Sequence, residues 1–181
     1  LIAAAALLAL AGPSAAVCRG APPAPAAKYL ADETAHRALR AELGIPMPTD
    51  PEHITIYTAG GHVGVAVQTS IVATRRPDGA WEVNAVERYK QAGNSTAATG
   101  SVPRLRTLSA ADGNNLDSLL AMRAFWYEPP DGRAWPVPPP DLRRSELTID
   151  VVTPMCSRRA SVSERGPAPL LAEVLQLLTG T

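Results

Sequence analysis

Between Ile54 and Ala85 the apolar residues recur at every second position: Ile54 and Ile56, then Val63, Val65 and Val67, then Ile71 and Ala73, then Trp81, Val83 and Ala85. A period of two is the period of a β-strand, whose successive side chains leave on opposite faces, so this stretch predicts a sheet with one apolar face. Gly60-Gly61 reads as a two-residue hairpin turn that pairs Ala59 with His62, Ile56 with Val65 and Ile54 with Val67. Pro77-Asp78-Gly79 reads as a second turn that pairs Arg76 with Ala80, Ala73 with Val83 and Ile71 with Ala85, with Gly79 at a positive φ. The result is a three-stranded antiparallel meander. Its opposite face carries Tyr57, Gln68, Glu82 and Arg88 and is expected to meet water.

Helical spacing brackets this meander. Residues 28–43 place Ala31, Ala35, Ala38, Leu39 and Leu43 three and four apart and end at Gly44, which predicts an amphipathic helix and its stop. Pro46, Pro48 and Pro51 make the next segment a stiff connector, and residues 91–102 read as a loop. Ser109 is a natural N-cap for a helix over 110–125 bearing Leu116, Leu119 and Leu120. A proline-rich loop from Pro129 to Pro140 follows around Trp135. Leu147, Ile149 and Val151 alternate as a fourth strand, with a candidate fifth over 160–163. Leu170, Leu171, Val174, Leu175 and Leu178 form one stripe between Pro169 and Gly180, the pattern of a C-terminal helix. The expectation is a single two-layer α+β domain over 28–181, with an antiparallel sheet of four or five strands and about three helices, mainly on one face.

Residues 1–11 are all Leu, Ile or Ala and run into Gly12-Pro13 and a small residue at Ala16, which reads as a secretory signal peptide over 1–16. The stretch is well short of the roughly 20 residues a membrane-spanning helix needs. Residues 17–27, mostly Ala and Pro, read as an extended arm. Lys28 and Lys90 are the lysines among 17 basic residues, an arginine bias that suggests a GC-rich bacterial genome and a periplasmic or secreted product. In that compartment Cys18 and Cys156 are expected to form a disulfide. The alternative, a lipoprotein anchored at Cys18, is disfavoured by Val17, where a small residue is wanted.

The 17 Lys and Arg balance 17 Asp and Glu, which excludes nucleic-acid binding driven by phosphate neutralisation. No G-x-S-x-G or S-x-x-K marks a serine enzyme, and no H-x-x-x-H or C-x-x-C marks a metal site, so neither metal nor cofactor is expected. Asp112-Gly113-Asn114-Asn115 with Asp117 lacks the ligand order of a calcium loop and fits the polar start of a helix. Gly60-Gly61-His62-Val63-Gly64 lies between strands and has no lysine to hold a phosphate. The leading expectation is a non-catalytic binding domain of the bacterial envelope, taking a partner protein or a small ligand, with Trp126, Tyr127, Trp135 and Pro138 as its contact surface. The same aromatics could close the core, because the chain has only 3 Trp, 4 Tyr and 1 Phe. The alternative is a small exported hydrolase in which His62 or His53 meets Glu87 or Asp150 in a pocket.

Overall fold

A computed structural model describes residues 27–62, 65–91, 100–128, 146–162 and 166–180. The segments expected as a signal peptide and as an arm, up to residue 26, with Cys18, Trp135 and Pro138, lie outside the described residues. The elements run α1 (Ala27–Glu42), β1 (His53–His62), β2 (Val65–Arg75), β3 (Trp81–Gln91), β4 (Gly100–Thr107), α2 (Ala110–Ala121), α3 (Arg123–Tyr127), β5 (Glu146–Val152), β6 (Ser157–Val162) and α4 (Pro169–Thr179). The class is α+β. The six strands form one open antiparallel sheet in the order β4-β3-β2-β1-β5-β6.

The second turn forms as expected: Ile71 pairs with Ala85, Ala73 with Val83 and Arg75 with Trp81, and Gly79 takes φ +85°. The first hairpin differs. β1 continues through Gly60-Gly61 to His62, which pairs with Val65, so Ile56 faces Ile71 and Ile54 faces Ala73. This register pairs the whole of β1 with β2, whereas a turn at Gly60-Gly61 would leave the ladder groups beyond Gln68 without partners on β1. The displacement is an even number of residues, so every side chain keeps its expected face. Where a loop was expected over 91–102, β4 begins at Gly100 and pairs along β3 to Thr107. It is an edge strand, which is why it tolerates Pro103 and carries Arg104 and Arg106 where an apolar alternation would otherwise announce a strand. The fifth strand of the expectation is β6, starting earlier, at Ser157. The helix expected over 110–125 breaks at Met122, whose extended ψ of 123° separates α2 from the short α3.

The apolar face gathers Ile54, Ile56, Ile71, Ala73, Trp81, Val83, Ile149, Val151, Ala160 and Val162 against Leu116, Leu119, Leu120, Phe125, Leu171, Val174 and Leu178 of α2, α3 and α4. Each fully buried Leu, Ile or Val contributes about 1.5–3 kcal/mol. Trp81 hydrogen-bonds through its indole N–H to Asp117 Oδ1 of α2 at 2.9 Å, so the largest core side chain also satisfies its one donor. Thus α2, α3 and α4 share one face, and α1 crosses the other. The expected two layers are three, and the face expected to meet water is largely covered there.

Candidate functional site

α1 reaches the sheet with a polar side. The expected stripe of Ala31, Ala35, Ala38, Leu39 and Leu43 does not face inward as a set: Ala31 and Ala38 are exposed, and the buried positions are His36, Leu39 and Arg40. Beneath them β2 presents Ser70, 0% exposed, whose Oγ lies 2.7 Å from His36 Nε2 and accepts from Arg40 Nη1 at 3.0 Å. A guanidinium only donates, so Ser70 accepts from Arg40, and the same hydroxyl bonds His36 Nε2, with the direction set by the ring's tautomer. Arg40, 2% exposed, completes its set with Asn84 Oδ1 at 3.3 Å and the Pro46 carbonyl at 3.2 Å. These acceptors are all uncharged. Burial draws Arg40 below its usual range. Burial, and then the charges of Arg40 and Arg37, pull His36 down to about 4, while Glu33 works against them, so the imidazole is neutral near pH 7.

Tyr57 stacks on the His36 ring at 5.3 Å between centroids, and its hydroxyl accepts from Gln68 Nε2 at 2.8 Å. Gln68 Oε1 in turn accepts from Arg88, which is paired with Glu42 of α1. Burial pushes the Tyr57 phenol up. Three of the residues expected to face water therefore form the chain that docks the helix. At the other side of α1, Thr148 Oγ1 donates to Asp32 Oδ2 at 2.6 Å, and Arg159 pairs with Glu33 at 3.4 Å and Asp150 at 2.6 Å.

Ser70, His36 and Arg40 have the composition of an activated serine, with a base in reach and a cation beside the oxygen. Their placement argues against that chemistry. Ser70 stands on the sheet while its two partners stand on α1, so any movement of the helix that exposed Ser70 would separate it from them. The arrangement fastens α1. A small cleft of about 100 Å³ beside it is lined by His36, His53, Tyr57, Asp150 and Arg159 among others, and so brings together two residues of the hydrolase alternative. Both are otherwise engaged: His53 Nδ1 bonds the Asp50 carbonyl at 2.6 Å and Asp150 bonds Arg159. Glu87 is elsewhere, in a separate hollow of about 250 Å³ with Arg104 and Leu178, and the His62 side chain lies outside the described residues. Among the described residues no group of three or more His, Cys, Asp or Glu could hold a metal ion.

The expected aromatic surface divides. Phe125 is fully buried, and Trp126 is half-buried against the core with its indole N–H on the Leu120 carbonyl at 2.8 Å. Tyr127 is 59% exposed and Met122, at the α2–α3 break, 45%. Met122 also lines a groove of about 600 Å³ between α2 and α4, with Leu119 and Leu177 in its floor and Asn115, Ser118, Glu173 and Gln176 in its walls. The groove was not legible in the sequence, because it is formed by the polar faces of two helices separated by residues 122–168. Cys156 is buried just before β6. No described helix is long and apolar enough to cross a membrane. No family model, no curated protein and no solved structure matches this chain.

Proposed function

We propose that this chain is an exported, non-catalytic binding domain of the bacterial envelope, which takes a segment of a partner protein along the α2–α4 groove and onto Tyr127. The observation that carries the reading is the groove itself: a concavity in the size range of ligand sites is lined by Met122, a large apolar side chain left exposed by the core, and the exposed Tyr127 follows it on α3. The leader over residues 1–16 supplies export, and a Cys18–Cys156 bridge suits the compartment.

A photo-crosslinking residue in place of Tyr127, expressed in a bacterial envelope, tests this. A discrete adduct is expected at 127, absent when the probe replaces Asp78 in the β2–β3 turn, and lost when Ser118→Trp fills the groove without lowering the melting temperature. An adduct that survives Ser118→Trp, or none at 127, overturns the reading. The intact mass of the recovered protein checks export: a chain starting at Val17 with two thiols that appear only after reduction is expected, and an acylated chain starting at Cys18 would instead make it a lipoprotein.

A further inference from the structure

We propose that α1 is an acid-released strap, held across the polar face of the sheet only while His36 is uncharged, so that protonating His36 frees this helix while the sheet and its opposite core stay folded. The interface is built for release. Among the described side chains of α1, Leu39 is the apolar one that is fully buried; the sheet adds Tyr57, Val72 and Val86 on this face, and the other fastenings are polar and local to it. The core under α2, α3 and α4 lies on the other side of the sheet and does not include α1.

The groups around His36 set the sign. On its own helix stand Glu33, Arg37 and Arg40; Tyr57 and His53 come from β1 and Ser70 from β2, and Asp150 with Arg159 from β5 and β6. Tyr29 and Asp32 share the adjoining cleft. Arg40 faces His36 across one hydroxyl oxygen, so an imidazolium there would stand beside a guanidinium with no carboxylate of its own. The two acids that could compensate are already shared: Glu33 serves Arg37 and Arg159, and Asp150 serves Arg159. The docked ring titrates at about 4 against 6.5 for a free histidine. The docked form therefore carries the depressed value of a base. Docking is complete above 6.5, weakens as pH falls through that value, and has lost its full increment below about 4.

Hydrogen exchange of the full chain at pH 7.5 and pH 5.0, expressed as protection factors, reads this directly. pH 5.0 lies above the ordinary carboxylate range, so the surrounding acids stay charged. Protection across α1 should fall by roughly thirtyfold between the two conditions while β2 and β3 keep theirs. In His36→Gln, whose side-chain amide keeps a hydrogen-bonding partner for Ser70 but does not titrate, α1 protection should be the same at both. Unchanged α1 protection in the parent chain, loss from α1 and the sheet together, or the same ratio in His36→Gln would each overturn the proposal. Should His36→Gln fail to fold, the parent protein decides alone by a ring titration: a His36 midpoint below 6 that coincides with loss of α1 protection supports the strap, and a midpoint at 6.5 or one unconnected to α1 overturns it.

Discussion

Gly113 sits in the first turns of α2 and is not among the glycines with positive φ. A Cβ there would meet the Trp81 ring at 3.8 Å, an ordinary van der Waals contact. Gly113→Ala should therefore stabilise the protein by about 0.5–1 kcal/mol by removing backbone freedom from the unfolded chain. In a scanning calorimeter that is a rise of roughly 1–4 °C. Gly79 gives the opposite result for a stated reason: its φ of +85° strains any L side chain, so Gly79→Ala should lower the melting temperature although nothing lies near its Cβ. A rise in both would mean that the β2–β3 turn relaxes. Gly79 and Ser109 were legible in the sequence because turn and cap chemistry is local, and Ser109 indeed accepts from the Asp112 amide at 3.1 Å. His36, Arg40 and Ser70 were not. Their meaning lies in contacts between residues 34 and 30 positions apart, and no spacing rule singles out a serine in a strand that reads as ordinary alternation.

Among the elements, α4 starts with an unusual cap. Ala168 at its N-cap makes no side-chain hydrogen bond, and the carboxylate of Glu128, beyond α3, accepts from the amides of Leu170 and Leu171 at 3.2 and 3.3 Å. Arg158 of β6 holds the same corner, donating to the carbonyls of Phe125 and Glu128 with its guanidinium 4.7 Å over the Phe125 ring. Glu128→Ala should cost about 1 kcal/mol in urea unfolding, and Glu128→Gln less, since it keeps an acceptor and loses only the attraction of a charge to the helix N-terminus. Equal midpoints for the parent and Glu128→Ala would show that solvent caps α4 just as well. This corner joins residues from three elements, whereas α4 itself was legible from its apolar stripe, Pro169 and the left-handed Gly180. α1 shows where pattern reading gives out. Alanines mark a helix, but because they bury so little they do not mark its inner face, and here the inner face is taken by the polar His36 and Arg40 beside Leu39. In β4 the same limit appears as an edge strand whose Pro103 and two arginines imitate a loop.

For the whole molecule, the third layer changes what a Cys18–Cys156 bridge would do. Thr153 and Cys156 close the β5–β6 bend with a backbone bond of 2.8 Å, and the Cys156 amide donates to Thr153 Oγ1 at 3.0 Å, so the cysteine is carried on a stiff corner. The arm bearing Cys18 leads directly into α1, the layer with least apolar purchase on the sheet. A covalent tie there would close a loop of about 138 residues, for which the chain-entropy argument gives roughly 4–5 kcal/mol, drawn mainly from the unfolded state. Reduction, or Cys156→Ala, should then lower the melting temperature by on the order of 10 °C. The tie and the strap make separable demands on α1. With the bridge intact, α1 freed at pH 5.0 stays close to the sheet and should regain its protection at once when the pH is returned to 7.5. With the bridge reduced the same acid step should still release α1, because His36 and not the sulfur sets the pH response. Oxidised and reduced protein that melt together would remove the bridge from the account and leave Cys156 as a buried corner residue.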